Sequence, residues 1–196
     1  MSFDFSREPL QHFQEFLKEA QEAGLTEPTG MALATVGPNG RPSVRTVLFK
    51  GLYQSGLTFY TNYEGRKGRE LSQTPVAALN FWWPSLEKQV RFEGRIEKLP
   101  RDVSEAYFAT RPRLSQIGAW SSQQSEEIPN LEFLKEKTKE VEKRFEGKTI
   151  PCPPFWGGFV LIPEEIEFWV GRTGRLHERY IYKKVTQGWH TFLRSP

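Results

Sequence analysis

The chain has 196 residues, 37% of them hydrophobic and 14% aromatic, with 27 basic against 24 acidic residues for a net charge of +3. This length suits a single domain with a substantial core, and the composition excludes extensive disorder. The small positive excess is too thin for a dedicated nucleic-acid surface, and no apolar run approaches the ~20 residues that span a bilayer.

Leu10, Phe13, Leu17 and Ala20 recur at helical spacing, with Pro9 in the first turn and Gly24 past the end, and predict an opening helix over about 9–23. Residues 1–8, Met-Ser-Phe-Asp-Phe-Ser-Arg-Glu, do not read as a secretory signal, so a soluble cytoplasmic protein is expected. Met31 to Val36 reads as a strand, the Gly37-Pro38-Asn39-Gly40 run as a turn, and Ser43 to Lys50 as a second strand. Leu57 to Thr61 makes a third, so the region predicts an antiparallel meander. Arg66 to Thr74 predicts a short helix stopped by Pro75, followed by strands over Val76–Trp83 and Gln89–Lys98. Pro100 to Thr110 reads helical. Leu131, Leu134, Val141 and Phe145 mark a charged amphipathic helix. After prolines 151, 153 and 154 come strand segments 155–161, 166–170, 179–184 and 189–193. About seven strands in mostly hairpin order, with helices inserted, predict a mainly β, α+β fold: a small antiparallel barrel with peripheral helices, in one domain over 1–196. No dinucleotide or P-loop glycine motif occurs. Cys152, the one cysteine, sits in a stiff Pro-Cys-Pro-Pro connector and reads as inert. His12 and His190 read as structural or exposed, and no histidine pair has metal-ligand spacing, so no metal is expected.

Several short segments concentrate cations. If 175–179 is extended, Arg175, His177 and Arg179 share one face, which makes a poor core and a good anion site; a charged edge strand is the plainer reading. Arg45 and Lys50 are an odd number of positions apart, so in an unbroken strand they face opposite ways and serve different anions, or flank a bulge. Between them, Thr46, Val47, Leu48 and Phe49 could offer backbone groups to a flat ligand. Tyr60-Thr61-Asn62 ends a strand, and Arg66 and Lys67 open a helix whose free N–H groups favour an anion. Tyr107, Arg111 and Ser115 are four apart. Pro112 argues against one continuous helix there, but hydroxyl, guanidinium and hydroxyl are what a phosphomonoester needs. Trp82, Trp83 and Trp120 read as core or interface aromatics rather than base-stacking platforms.

In order, the segments Arg45–Lys50, Phe59–Asn62, Arg66–Gly68, Gln89–Arg91 and Tyr107–Ser115 match one pattern. The segments Gln116–Trp120, Gln124–Ser125, Trp156–Gly158, Glu167–Trp169 and Arg175–Arg179 continue it. Together these ten blocks resemble the pyridoxamine 5'-phosphate oxidase family of flavin enzymes. The resemblance implies an FMN-binding split β-barrel and a homodimer whose two sites draw on both chains. It implies that Arg45, Arg66 and Lys67, with Gln124 and Ser125 of the partner chain, hold the phosphate and ribityl region of FMN, while Thr46 to Lys50, Tyr60, Thr61, Gln89, Trp169 and Arg179 line the rest. Lys50, Tyr107, Arg111 and Ser115 would grip a substrate phosphate, with Arg175 and His177 over the substrate ring as the catalytic pair. Two bound phosphates would account for the parity of Arg45 and Lys50. The implied reaction is oxidation of pyridoxine or pyridoxamine 5'-phosphate by oxygen to pyridoxal 5'-phosphate and hydrogen peroxide. The competing expectations are a related oxidase for another aromatic, such as a phenazine precursor, and a non-catalytic flavin- or pyridoxal-phosphate-binding protein. Residues 1–8 match no counterpart of the family's basic, tyrosine-containing lid segment.

Overall fold

The computed structural model describes residues 3–196. Met1 and Ser2, the first residues of the domain expected over 1–196, lie outside the described residues. Among the described residues, five α-helices surround one antiparallel sheet. Its strands are β1 (Gly30–Val36), β2 (Pro42–Leu48), β3 (Leu52–Tyr53), β4 (Gly56–Asn62), β5 (Val76–Trp83), β6 (Lys88–Lys98), β7 (Trp156–Val170), β8 (Glu178–Lys184) and β9 (Trp189–Leu193). The order is β2-β1-β5-β6-β7-β4-β3, with β8 and β9 continuing from β7. The Lys50 amide donates to the Thr58 carbonyl and the Thr58 amide to that of Gly51, which joins the end of β2 to β4 and closes the sheet on itself. The antiparallel barrel expected from the alternating strands is therefore present.

The helices are α1 (Pro9–Glu22), α2 (Arg66–Gln73), α3 (Arg101–Thr110), α4 (Arg113–Ser121) and α5 (Leu131–Arg144). Helix α1 buries Phe13, Leu17 and Ala20, three of the four positions its 3.6-residue period selected, together with Phe16, while Leu10 is half-buried. Phe13 meets the rings of Phe49, Phe81 and Phe92 with centroids 5.3, 4.9 and 5.1 Å away, so α1 caps the barrel's aromatic core. A second core of Phe108, Ile117, Phe145, Ile150 and Trp156 lies beneath α3, α4 and α5.

Three elements differ from the sequence reading. There are nine strands rather than about seven. The segments 155–161 and 166–170 form one 15-residue strand, β7, despite Pro163. The register with β6 shifts between Glu93 and Gly94, which pairs Glu93 with Glu165 and Gly94 with Pro163. That bulge is where a strand interior tolerates a residue with no N–H. Third, α4 begins directly after Pro112, which serves as its N-cap. Arg111, the C-cap of α3, is extended at φ −71° and ψ 147°, as a residue before proline prefers.

One buried carboxylate ties α2 to the barrel. Glu70, 5% exposed, accepts hydrogen bonds from the hydroxyls of Thr35 on β1 and Ser43 on β2. It also pairs with Arg45 at 3.2 Å and Arg66 at 2.9 Å. Burial pushes its pKa up, but the bonds from Thr35, Ser43 and Arg66 and the charge of Arg45 outweigh this and hold it at about 2. A second buried carboxylate, Glu167 on β7 at 2% exposure, is enclosed by Arg91 at 3.1 Å, Arg179 at 2.8 Å and Arg194 at 3.3 Å.

Gly94→Ala places a Cβ 2.1 Å from the Ile162 carbonyl oxygen at the bulge. It is expected to lower stability by about 1–3 kcal/mol, read from urea unfolding. Glu70 stabilises the fold fully above its unfolded pKa and loses that contribution as pH falls from about 4.5 to about 2. The loss from this one group amounts to about 3 kcal/mol. In unfolding curves recorded across that window, Glu70→Gln is expected to flatten the acid decline, and an unchanged slope would refute the assignment.

Candidate functional site

A cavity of about 470 Å³ opens where β2, β4, α2 and the α3–α4 joint converge. Its lining includes Thr46, Val47, Leu48, Lys50, Tyr60, Thr61, Lys67, Tyr107, Arg111, Ser115, Gln124 and Trp156. Three cations and no carboxylate line it, so its field favours an anion.

Local chain geometry delivers each group. Strand β2 stops at Leu48, two residues short of the expected end, and Gly51 takes φ +116°. Lys50 thereby leaves the strand and reaches the cavity, while Arg45 stays on β2 facing Glu70; because the strand ends before Lys50, the parity of an unbroken strand does not set where the two cations point. Tyr107 lies in the last turn of α3, Arg111 in the extended joint and Ser115 in the first turn of α4. They meet because the chain bends at Pro112, not because they share a helix face.

The rings of Tyr60 and Tyr107 stack at 3.9 Å and 16°, and Trp156 lies nearly parallel to both, at 5.5 and 6.3 Å. The Arg111 guanidinium sits 4.7 Å from the Trp156 ring centre and 5.5 Å from that of Phe108. Its Nη1 is buried without a hydrogen-bond partner. Burial pulls the Arg111 pKa down and pushes that of Tyr107 up. A buried guanidinium nitrogen with no acceptor is costly unless a ligand supplies one.

Beside this lies a second cationic group. Lys67 donates to Gln124 Oε1 at 2.7 Å and Thr61 Oγ1 at 3.2 Å, and Thr61 also donates to Gln124 at 2.9 Å. Burial and then the charge of Arg45 lower the Lys67 pKa, which places the two cations within mutual influence. Gly65 is the N-cap of α2 and no side chain caps the helix, so its first-turn amides are available to an anion. A Cβ at Gly65 would stand 2.8 Å from Gln124 Oε1, so glycine is what lets residue 124 approach. Gln124, expected to serve the partner chain's site, thus contacts Thr61 and Lys67 of its own chain. Ser125, at φ +74°, lines a neighbouring cleft with Trp120 and Phe133 and not this cavity.

The remaining expected residues lie elsewhere. Gln89 on β6 pairs with Trp169 on β7, and Trp169 with Arg179 on β8. Trp169 is 13 positions beyond Trp156 on one strand, roughly 40 Å along it at the usual rise. Arg179 is held by Glu167 through bonds of 3.0 and 2.8 Å. Arg175 is not extended: it sits in a short 3₁₀ turn (Thr173–Arg175) at φ +61°, after Gly174 at φ +67°. The expected shared face of Arg175, His177 and Arg179 is therefore absent, because the left-handed turn breaks the alternation. His177 packs against Trp169 at 4.5 Å, and its Nδ1 accepts the Arg172 amide at 3.2 Å, so a neutral ring carries its proton on Nε2. Trp82, 47% exposed, stands edge-on to Trp169 at 5.6 Å.

Sequence reasoning assigned no role to Glu70 or Trp156. Glu70 had a readable signal in its i,i+4 spacing from Arg66; Trp156 had only its place before two glycines. Burial raises the Cys152 thiol pKa, in keeping with an inert cysteine. No helix among the described residues is long and apolar enough to cross a membrane.

The family described as pyridoxamine 5'-phosphate oxidase matches residues 17–145, and the pyridoxine 5'-phosphate oxidase C-terminal dimerisation region matches residues 156–196. A pyridoxine/pyridoxamine 5'-phosphate oxidase of Bdellovibrio bacteriovorus is 50% identical over 195 residues, 99% of this chain and all of that protein. Its counterpart in Rubrobacter xylanophilus is 51% identical over 96% of this chain and 87% of its own. Among solved structures, PhzG of Burkholderia lata 383 in complex with tetrahydrophenazine-1-carboxylic acid has a TM-score of 0.91 at 31% identity, covering 96% and 93% of the two chains. An FMN-binding protein of Nostoc punctiforme related to pyridoxamine 5'-phosphate oxidase shares the fold, with a TM-score of 0.77 at 20% identity over both full lengths. Matched along nearly its whole length, with its cations gathered around a carboxylate-free cavity, the chain belongs to the pyridoxamine 5'-phosphate oxidase family.

Proposed function

We propose that this protein oxidises pyridoxine 5'-phosphate and pyridoxamine 5'-phosphate to pyridoxal 5'-phosphate, with FMN as its cofactor and oxygen as the final acceptor. The observation that carries the proposal is the unpartnered Arg111 Nη1 in a cavity lined by Lys50, Lys67 and Arg111 with no acid. The alcohol substrate and oxygen give the aldehyde and hydrogen peroxide; the amine substrate also takes up one water and releases ammonia.

Two anion grips fit two phosphate esters. Arg45, Arg66, Lys67 and the uncapped start of α2 suit the FMN phosphate, with Gln124 and Ser125 nearby, while Thr46, Val47, Leu48, Tyr60 and Thr61 border the ring system; Phe49, also expected there, packs instead in the barrel core against Phe13 and Phe81. Glu70 offsets one of the arginine charges and holds both guanidinium groups, which favours a bound dianion over a mobile counterion. Lys50, Tyr107, Arg111 and Ser115 suit the substrate phosphate, Arg111 as a planar fork and Lys50 as a point charge. A second copy of the chain supplies Gln89, Trp169, Arg175, His177 and Arg179, since one strand separates these from the cavity. The match to a dimerisation region supports the homodimer this requires.

The chemistry that FMN supplies when bound is acceptance of a hydride equivalent from the substrate's C4' carbon and delivery of two electrons to oxygen. The chain supplies position and electrostatics. Gripping the phosphate fixes C4' and converts an encounter into a preset geometry. Arg175 stands as a cation beside the substrate ring and stabilises negative charge on its oxygen. With Nδ1 engaged by the Arg172 amide, His177 acts through Nε2 as a hydrogen-bond donor rather than as a proton acceptor.

The likeness to PhzG favours one other reading, oxidation of a phenazine precursor. A tricyclic carboxylic acid carries no phosphate ester and would leave the Lys50–Arg111 grip underused. Relatives at about half identity over nearly the full chain favour the vitamer.

Anaerobic addition of pyridoxine 5'-phosphate to the purified protein should bleach its oxidised flavin absorption band. A flavin band that stays unbleached with both vitamers selects a binding protein, and a preparation without flavin refutes the cofactor. Arg111→Ala should raise KM for the phosphorylated substrate by about ten- to a hundred-fold, the loss of a charge-assisted contact. An unchanged KM would remove Arg111 from the grip.

A further inference from the structure

Arg111 is held in an unusual way. Its guanidinium makes no ion pair and no hydrogen bond among the described residues, and Nη1 is fully buried. Its neighbours are the faces of Trp156 at 4.7 Å and Phe108 at 5.5 Å. An arginine fixed by a carboxylate would have its donors occupied and its charge offset. An arginine resting on an aromatic face keeps its donors in the guanidinium plane free, because the attraction runs through the ring quadrupole.

Trp156 also orders a second member of the grip. Its plane lies 4° from that of Tyr107 and 13° from that of Tyr60, so three near-parallel rings set the position of the Tyr107 hydroxyl. Trp156 is itself fixed: it is 5% exposed, pairs with Asn62 at the start of β7, and its carbonyl accepts from Arg101 Nη1 at 2.9 Å. Gly157 and Gly158 follow, where a Cβ would meet the Tyr63 hydroxyl at 2.1 Å and Leu99 at 2.4 Å, so the strand is locked at this depth.

We infer that Trp156 is a positioning residue for substrate selection: its ring face presents Arg111 with unoccupied donors and aligns Tyr107, which makes recognition depend on a phosphate ester. The inference rests on the proposed reaction and deepens it. Trp156 acts on how tightly the ester is held, through Arg111 and Tyr107, and not through the ring-facing residues Arg175 and His177.

The test compares the flavin-loaded wild-type enzyme with W156L, W156F and a variant carrying tetrafluorotryptophan at position 156, which keeps ring shape and weakens the quadrupole. Binding of pyridoxal 5'-phosphate and of pyridoxal is measured by titration calorimetry, alongside KM and kcat for pyridoxine 5'-phosphate. For W156L, KM and the dissociation constant of pyridoxal 5'-phosphate should rise roughly ten-fold or more, with kcat within about three-fold and pyridoxal binding unchanged. W156F should recover most of the loss, and the fluorinated ring should weaken the phosphorylated ligand alone by about three-fold or more. Equal weakening of both ligands, or unchanged binding with the fluorinated ring, overturns the inference; the fluorinated variant decides even if W156L does not fold. A wild-type enzyme that neither binds pyridoxal 5'-phosphate nor turns over either vitamer would instead sink the proposed reaction.

Discussion

The continuity of β7 governs everything else in the molecule. One edge of this strand pairs with β6 over Phe159–Val170, and the other takes β4 over Trp156–Leu161 and then β8 over Glu165–Val170. Such a strand cannot be bent to bring its ends together without breaking three ladders at once. Trp156 at one end therefore faces the cationic cavity, while Trp169 at the other keeps company with His177, Arg179 and Trp82. The bulge at Gly94 and Pro163 is the one place where the ladder yields, and it yields in register rather than in direction. Both groups of functional side chains are fixed by the same hydrogen-bonded element, and that element keeps them apart within one chain.

Charge is distributed to match. Carboxylates are excluded from the cavity lining yet placed with care behind it. Glu70 binds two arginines and two hydroxyls beside α2, and Glu167 binds three arginines at the opposite end of the sheet. Buried ion pairs of this kind bring little net stability, because desolvation cancels much of the attraction, but they fix geometry. Arg45 and Arg179 are thereby immobilised with charge partly offset, whereas Arg111 and Lys50 are left uncompensated. In the proposed reading, the gradient from clamped to unclamped cations would distinguish a permanent occupant from an exchanging one. A cofactor tolerates a stiff, half-neutralised cradle; a substrate that must come and go is better served by donors kept free on an aromatic support.

Much of the fold was legible because alternation and helical spacing are local signals. The face of α1, strands β1, β2, β4, β5 and β6 and the charged α5 follow directly from where apolar residues such as Phe13, Phe92 or Leu134 recur. What escaped the sequence depended on long-range compensation. The expected strand segments stopped at 161 and resumed at 166 because the tolerance of Pro163 between them is supplied by Gly94 on another strand. Arg175 read as extended because a left-handed non-glycine residue has no composition signal when a glycine precedes it. The cationic segments were legible as chemistry but not as geometry. Tyr107, Arg111 and Ser115 converge through a bend at Pro112, and Gln124 approaches Lys67 only because Gly65 leaves room for it. Trp156 was invisible as a supporting residue, since a ring under a guanidinium is a relation between two positions 45 apart.

The separation imposed by β7 is the physical reason to propose a site shared between two copies. If one chain contributes the anion grips and another the Trp169–His177–Arg179 end, no monomer holds a complete site, however well folded it is. The C-terminal matched region, 156–196, contains that far end together with Trp156 itself, so the segment named for dimerisation and the segment that carries Arg175 and His177 are the same stretch of chain. Leu176 is exposed within that stretch, and Trp82 of β5, edge-on to Trp169, is exposed beside it, apolar surface that gains most from being covered. Association would then bury that surface, bring the ring-facing residues over the cavity of the second copy and exclude water from both sites in one step. Under that arrangement, a substitution at the interface would act as a substitution in the site, and the concentration at which copies associate would set the concentration at which the enzyme exists.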